Sequence, residues 1–351
     1  MAPTSLRPRQ SLAKDKFASH FSALKGQYYT DTTSSARGNQ PSSRSDSDLG
    51  LIRSIAWSPL GNLVATGSAD RTLRVWNPEK AHVRFSTELK GHSTTISKVA
   101  FNPVKDAELC SVSEDGTVKF WDVRTKNCVN EVKGLGEACS LVWAPDGSSL
   151  IVGNRSNNLF TLSPTLSEPV SSHQQDGRTN QIAFTWKGNR IFATTGMGST
   201  RILTYPDFNT AMRYDYPTRH GESDEFVLRG HTSSAVSVEL SPTGRWLATG
   251  GTDSMIALYD TQSWLCSRTI TKTAGPVRSL SFTFDGSYIA GGSEGEAGVH
   301  ISHVETGEHV HTIKTAGNCP FVSWAPTKYC LAYSDTSVNA LRIVGVDTDK
   351  R

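Results

Sequence analysis

The chain has 351 residues with 36 basic and 33 acidic side chains, a formal net charge of +3, so its charge does not demand a polyanionic partner such as nucleic acid. No apolar run approaches the ~20 residues of a membrane helix, and the N-terminal MAPTSLRPRQ lacks the apolar core of a secretory signal, which predicts a soluble intracellular protein. The 6 cysteines are scattered without a CxxC pair, so we expect thiols in a reducing compartment and no disulfide.

The first predicted element is a short amphipathic helix near the N-terminus. In Ser11–Lys25 (SLAKDKFASHFSALK) the apolar residues Phe17, Phe21 and Leu24 fall on one face, and Ser11 is a possible N-cap. The apolar face could pack against the rest of the chain or dock on another subunit, and a disordered segment is the third alternative.

Two further segments precede the repeats. Tyr28–Thr33 is predicted to form a single strand, and Thr33–Asp48, which is serine-rich and nearly devoid of apolar residues, is predicted to be a flexible tether. Residues 1–50 are therefore predicted to be an N-terminal extension. Residues 51–346 form the predicted folded domain, and residues 347–351 form a C-terminal tail.

From Leu51 onward one structural unit recurs. An aromatic or apolar anchor residue ends a predicted first strand, just before a turn, at Trp57, Phe101, Trp143, Phe184, Leu240, Phe282 and Trp324. The anchors are separated by 44, 42, 41, 56, 42 and 42 residues, a period typical of four-stranded propeller blades. The predicted fold class is all-β, a seven-bladed β-propeller with a short N-terminal helical or disordered extension.

The most complete repeat is Gly91–Asp122, GHSTTISKVAFNPVKDAELCSVSEDGTVKFWD. Its spacing allows His92, Ser111, Asp115 and Trp121 to share hydrogen bonds inside an otherwise apolar sheet. The same offsets hold His231, Thr249, Asp253 and Tyr259 in the fifth repeat and, without a histidine, Thr66, Asp70 and Trp76 in the first. Such a tetrad orders a blade and performs no catalysis.

The fourth and seventh repeats depart from the common pattern. The interval of 56 residues is 14 longer than the common 42, which places an insertion at 206–225, between the third and fourth strands of blade four. This insertion is either a binding loop or a passive excursion. The seventh repeat ends after its third strand (ALRIVGV, 340–346). Because an open ring leaves unpaired strand edges, a segment before Ile52 must supply the fourth strand, and Tyr28–Thr33 is the candidate.

The sequence offers little that resembles a reactive site. Four histidines at 300, 303, 309 and 311 lie close together, but no cysteine or carboxylate triad accompanies them, so surface or edge-strand histidines are expected rather than zinc ligands. The glycine-rich GSEGEAG (292–298) lacks the helix that a phosphate cradle needs. We therefore expect no metal, no cofactor, no small-molecule substrate and no catalysis.

What remains for function is a surface. In a propeller, the residues at the start of the first strand and just before the tetrad aspartate project to the top face, around the central channel. By offset from the anchors these are Arg53, Glu114, Glu137, Arg155, Arg178, Asn180 and Arg278. Several arginines on one face suit contact with acidic peptide or phosphate, and a solvated rim is the alternative for each of them.

The repeats resemble the WD40-repeat family over residues 51–346, through the Gly-His, Asp and Trp-Asp or Tyr-Asp offsets of blades one, two and five. A narrower resemblance, to the family of subunit 3 of the THO complex, comes from the joint occurrence of several segments. They are FWDVRTKNCV (120–129), LVWAPDGSSLIVGN (141–154), ILTYPDF (202–208), WLCSRTITKTAGPVRSLSFTFDGSYIA (264–290) and HVETGE (303–308).

That resemblance implies a nuclear, non-enzymatic scaffold for protein interactions. Its partners would be the large helical subunits of a THO/TREX-like complex that couples transcription to messenger RNA processing and export, with any RNA contact indirect. Three alternatives stay open: a WD40 scaffold of another nuclear assembly, such as one acting on chromatin or a ubiquitin ligase, a propeller that binds RNA directly, and an enzyme that uses the central channel.

Overall fold

The structure, a computed structural model, describes residues 11–24, 26–29, 51–80, 86–214 and 225–346. The predicted tether Thr33–Asp48 and the predicted tail 347–351 lie outside these residues. Within the described part of the chain, no helix has both the length and the apolar character needed to cross a membrane.

One helix, α1 (Lys14–Ala23), and one strand, β1 (Gln27–Tyr29), precede the repeats. Blade one contains β2 (Ile52–Trp57), β3 (Val64–Ser68), β4 (Leu73–Trp76) and β5 (Thr87–Leu89), and blade two contains β6 (Ile96–Phe101), β7 (Glu108–Ser113), β8 (Val118–Asp122) and β9 (Asn127–Val132). Blade three contains β10 (Ala138–Trp143), β11 (Leu150–Asn154), β12 (Asn158–Leu162) and β13 (Ser171–Gln174), and blade four contains β14 (Thr179–Phe184), β15 (Arg190–Thr195), β16 (Ser199–Thr204) and β17 (Val227–Arg229). Blade five contains β18 (Ala235–Leu240), β19 (Trp246–Gly251), β20 (Ile256–Asp260) and β21 (Cys266–Ile270). Blade six contains β22 (Val277–Phe282), β23 (Tyr288–His303) and β24 (His309–Cys319), and blade seven contains β25 (Val322–Trp324), β26 (Leu331–Asp335) and β27 (Ala340–Val344).

The apolar side chains of these blades form seven cores, and each core lies between two successive blades. The core between blades seven and one joins Ala332 and Leu341 to Trp57 and Val64. Because the last blade packs on the first in the same way as every other pair, the blades form a closed ring. The predicted seven-bladed β-propeller is confirmed.

Two tryptophan anchors bond their first strand to the preceding blade. The indole Nε1 of Trp57 donates to the carbonyl of Ser323 at 2.8 Å, and that of Trp143 donates to the carbonyl of Ala100 at 3.2 Å. All seven anchors are buried, including the four that have no indole, so the period of the repeat follows from the packing of a large apolar side chain at the end of each first strand.

Blade six carries the lengthened turn that the sequence shows at GSEGEAG. The turn is part of the 16-residue strand β23, because Ser293 and Ala297 pair with Cys319 and Asn318 of β24. The amide of Val304 donates to the carbonyl of Ser287 at 2.9 Å, so the two halves of β23 lie side by side. Blade six therefore also presents four strand segments.

Strand β1 completes blade seven. It pairs antiparallel with β27, with Gln27 opposite Ile343 and Tyr29 opposite Leu341. The predicted closing segment Tyr28–Thr33 is thus correct at Tyr28 and Tyr29, begins one residue too late, and continues beyond the described residues. Tyr29 is buried, and its hydroxyl donates to the carbonyl of Pro78 in blade one, so the closing strand also bridges to the first blade.

A charged side chain reinforces this closure. The Arg342 guanidinium lies 4.1 Å from the ring centroid of Tyr28 and donates to Asp335 Oδ2 at 3.1 Å. The side chains of Arg342 and Asp335 are 14% and 2% exposed, so removing one partner would leave a buried charge without its counterion. The arginine links the N-terminal strand to two strands of blade seven.

Helix α1 packs on the propeller itself, between blades six and seven. Phe17 is fully buried, with its ring centroid 3.9 Å from that of Tyr288, and Phe21 lies edge-on to Trp324 at 5.3 Å. Packing on its own chain, one of the three alternatives for this helix, is therefore the observed one. The predicted N-cap at Ser11 is wrong: the N-cap is Ala13, whose methyl group cannot accept a capping hydrogen bond.

The cysteines are all thiols, as expected. Three are buried, one is partly buried, and Cys128 and Cys266 are exposed on the outer strands of blades two and five. Buried cysteines here behave as small apolar residues of the blade cores.

Candidate functional site

The tetrad of blade five is a continuous chain of hydrogen bonds. His231 lies between two partners, with its Nδ1 3.0 Å from Asp253 Oδ1 and its Nε2 2.8 Å from Thr249 Oγ1. The hydroxyl of Tyr259 is also hydrogen-bonded to Thr249. The side chains of His231 and Asp253 are 1% and 7% exposed, so the network belongs to the interior, where a low dielectric strengthens it.

A glycine makes this arrangement possible. A Cβ built on Gly251 would lie 2.3 Å from Asp253 Oδ1 and 2.4 Å from His231 Nδ1. Any side chain at this position would therefore push apart the histidine and the aspartate.

The tetrad of blade two is interrupted, which corrects the sequence-based prediction. Ser111 Oγ lies 2.6 Å from His92 Nε2 and 2.8 Å from Trp121 Nε1. Asp115, however, does not reach His92, whose Nδ1 is buried without a hydrogen-bond partner. Burial, with a contribution from Lys119, lowers the pKa of His92 to about 4, so its imidazole is neutral at neutral pH.

Hydroxyl groups, rather than His92, form the hydrogen bonds to the Asp115 carboxylate. Ser93 Oγ donates to Asp115 Oδ2 at 2.6 Å, the amide of Thr117 donates to Oδ1 at 2.9 Å, and Ser113 Oγ donates to Oδ1 as well. Partial burial raises the pKa of Asp115, but these hydrogen bonds outweigh burial and hold the pKa below its usual range. Blade two has Ser113 where blade five has Gly251, and this difference in the sequence is the signal that separates the two tetrads.

Blade one has the short network that its missing histidine predicts. Trp76 Nε1 donates to Thr66 Oγ1 at 2.9 Å, while Asp70 accepts from the amide and hydroxyl of Thr72 at 3.0 and 2.6 Å. The aspartate here stabilises only its own turn.

These geometries predict different roles for the two aspartates. Asp253→Ala is expected to lower the free energy of unfolding by about 1–3 kcal/mol, because it leaves the buried His231 without its partner. Asp115→Ala should cost less, since its hydroxyl partners can turn to water. Urea denaturation of both variants measures the difference, and equal losses would contradict the interrupted network in blade two.

The histidines of blade six bond to hydroxyl and carboxylate groups of their own blade. His300 contacts Glu296 through Nε2 and lies 3.1 Å from Thr312 Oγ1 through Nδ1, and His309 Nε2 lies 2.8 Å from the same hydroxyl. Within the described ranges, no group of three or more histidine, cysteine or acidic side chains is placed to hold a metal ion.

The predicted top-face residues lie at one end of the blades. The amides of Glu114 and Arg155, in turns between the second and third strands, donate to the carbonyls of Thr95 and Glu137 at 3.0 and 2.9 Å. These bonds bring each turn beside the start of the first strand. Arg53, Asn180 and Arg278 occupy an irregularity in the first strand of their blades, where the pairing register shifts.

Three of the six charged candidates on this face are paired, so the expected basic surface is in fact mixed. Arg155 forms an ion pair with Glu137 at 2.8 Å, and Arg278 forms one with Glu294 at 2.9 Å. Glu294 is in the lengthened turn of blade six, outside the offsets used to select candidates, which is why it was missed.

Asn180, Arg53 and Arg178 differ in the contacts of their side chains. Asn180 Nδ2 donates to Ser234 Oγ at 3.0 Å and to the carbonyl of Ala235 at 2.7 Å, so this side chain is a structural link to blade five. Arg53 and Arg178 are exposed and make no ion pair with any described residue. They are the arginines of this face that are most available to a partner.

The insertion in blade four is anchored at its base. Phe208 is buried, with its ring centroid 4.8 Å from that of His173 in blade three. Arg201 Nε donates to Glu225 Oε1 at 2.8 Å, and the two side chains are largely buried, with 15% and 14% of their surface exposed. Residues 215–224 lie outside the described residues, so the role of the insertion is not assigned.

Comparison with known proteins identifies the repeats. The WD domain, G-beta repeat family matches residues 43–77, 84–122, 223–260 and 264–297. THO complex subunit 3 of Arabidopsis thaliana is 33% identical over 290 residues, which cover 82% of this chain and 87% of that protein.

Two further proteins are similar. WD repeat-containing protein AAC3 of Dictyostelium discoideum is 28% identical over 301 residues, 80% of this chain but only 61% of that protein. The crystal structure of the β-propeller domain of Myceliophteria thermophila Cps50 (Swd1) superposes with a TM-score of 0.72 at 16% identity and covers 84% of this chain and 97% of the domain. At that identity the likeness concerns the fold alone.

Proposed function

The chain belongs to the WD40-repeat family that includes THO complex subunit 3, and from this premise we propose that it is a non-catalytic scaffold subunit of a THO/TREX-like complex. The observation that carries the proposal is the extent of the similarity, 33% identity across 82% of this chain and 87% of the relative. In this role the protein works in the nucleus, where it couples transcription to messenger RNA processing and export.

The chemistry of the described residues supports a scaffold rather than an enzyme. The histidines, aspartates and hydroxyl groups of the tetrads lie in separate blades and bond within each blade. They organise strands and do not converge on one point where a substrate could react. Binding therefore falls to the surface of the disc.

The partners in this proposal are the large helical subunits of the complex. Arg53 and Arg178, exposed on the top face, can form bidentate hydrogen bonds with carboxylates of an acidic helix. The candidate arginines Arg155 and Arg278 already have intramolecular partners, Glu137 and Glu294, and contribute less to a new interface.

Affinity capture of the full chain from nuclear extract, followed by mass spectrometry, tests the proposal. A scaffold subunit retains its protein partners at moderate salt and after nuclease treatment, whereas direct RNA binding weakens steeply with salt. Recovery of subunits of a THO/TREX-like complex is the expected result. Recovery of a chromatin or ubiquitin-ligase assembly, or of partners held only by RNA, would contradict it.

A matched pair of variants tests the surface. Arg178→Glu is expected to weaken capture of the partner subunits severalfold, because it reverses an exposed charge on the top face. Lys187→Glu makes the same charge reversal in the same blade, in the exposed turn after the first strand at the opposite end. If both variants captured equal amounts of partner, the top face would not be the binding face of blade four.

A further inference from the structure

The central channel contains a polar cavity of about 210 Å³. First strands of six blades line it, with blade three as the exception. Most polar groups in its wall are serines, and their hydroxyls connect neighbouring blades. Ser54 Oγ accepts from the amide of Val99 at 3.1 Å, and Ser281 Oγ accepts from the amide of Trp324 at 2.9 Å. Each of these bonds holds the next blade beside the blade of the serine.

Three other side chains in the wall are not satisfied in this way. Glu239 Oε1 accepts from the amide of Phe282 at 3.3 Å, but its Oε2 is buried with no hydrogen-bond partner. Gln181 Oε1 is buried without a partner as well. Lys98 lies in the same wall, and its ammonium group makes no ion pair or hydrogen bond with the residues that the structure describes.

The two charged groups are separated along the channel. Lys98 and Gln181 both lie three residues before the anchor of their blade, whereas Glu239 lies one residue before its anchor. At ~3.3 Å per residue along a strand, Glu239 is about 7 Å farther from the top face. Lys98 and Glu239 belong to different blades and form no ion pair with each other, so neither neutralises the other.

Enclosure in the channel wall disfavours the charged form of both groups, which lowers the pKa of Lys98 and raises the pKa of Glu239 to about 8. A guest that carries a cation at the Glu239 level and an anion at the Lys98 level would pair with both charged side chains at once.

We propose that the channel binds a small dipolar molecule, with a protonated amine at the Glu239 carboxylate and a carboxylate at Lys98. The cavity of about 210 Å³ has room for roughly seven waters at about 30 Å³ each, the size of an amino acid.

The test uses the full-length chain and three related probes: 5-aminopentanoate, which carries both charged ends, pentylamine, which carries only the cation, and pentanoate, which carries only the anion. Ligand-observed NMR titration measures each affinity up to about 50 mM, a range set by the weak binding expected of a probe with roughly eight heavy atoms. We expect 5-aminopentanoate to bind at least about tenfold more tightly than either half.

Two variants locate the binding. Glu239→Gln and Lys98→Met keep the shape of the side chain and remove its charge, and each should weaken 5-aminopentanoate about tenfold. Lys133→Met, at an exposed residue just after the outer strand of blade two, should leave the affinity for 5-aminopentanoate unchanged. If Glu239→Gln fails to fold, the affinity of Lys98→Met for 5-aminopentanoate alone tests the proposal. No binding of any probe, binding of either half as tight as that of 5-aminopentanoate, or binding unaffected by Lys98→Met would overturn the proposal, and none of these outcomes bears on the capture experiment.

Discussion

A chain that begins at Arg44 is expected to unfold at a lower temperature than the full chain and to associate in solution. It lacks Gln27–Tyr29, so the backbone groups of β27 that pair with β1 lose their partners. An unpaired edge strand is a template for pairing with another chain. It also lacks Tyr29, which is buried against Trp76 of blade one, with ring centroids 5.8 Å apart.

Size-exclusion chromatography and thermal melting measure both effects. A chain that begins at Ser11 is the control, because it keeps α1 and β1 and should behave like the full chain. A chain that begins at Gly26 keeps only β1 and separates the contribution of the helix from that of the strand. A monomeric chain from Arg44 with the melting midpoint of the full chain would contradict N-terminal closure.

The second large effect is expected at the helix. Phe17→Ala should lower the free energy of unfolding by about 3–5 kcal/mol, because the ring is fully buried among Phe21, Tyr288 and Trp324. The loss cannot exceed the free energy with which α1 docks on the propeller. If the helix of the variant detaches, no cavity forms, but the aromatic surface beneath the helix becomes exposed.

Urea denaturation quantifies this loss. The matched control is Ser19→Ala, an exposed position of the same helix whose hydroxyl contacts only the carbonyl of Asp15. It should change the stability by less than about 0.5 kcal/mol. A Phe17→Ala loss no larger than that of the control would mean that α1 contributes little to the fold.

The ring could be predicted from the sequence because its signals are local and repeat. The anchor residues end the first strands, and their indoles bond to the preceding blade in the same way at Trp57 and Trp143. Closure by an N-terminal strand followed from the missing fourth strand of blade seven. The start of that strand and the N-cap of α1 were each misplaced, because boundaries depend on tertiary contacts rather than on the pattern.

The site residues were harder to predict because side-chain partners come from elsewhere in the blade. Asp115 turns to Ser93 and Ser113, and the offset from the anchor contains no information about competing hydroxyls. Arg278 has a partner in Glu294, which lies in an irregular turn. Lys98 and Glu239 stand at positions where the other blades have uncharged residues, a difference that becomes meaningful only once the channel is built.

Closure of the ring by residues 27–29 is the structural claim on which the rest depends, and hydrogen exchange on the intact chain tests it most directly. The amides of β27, and those of β1 that bond to β27, are expected to exchange as slowly as those of β26, which lies beside β27 inside the blade. Exchange of the peptide that contains Gln27–Tyr29 at the rate of an unstructured chain, with β26 still protected, would contradict the closed propeller.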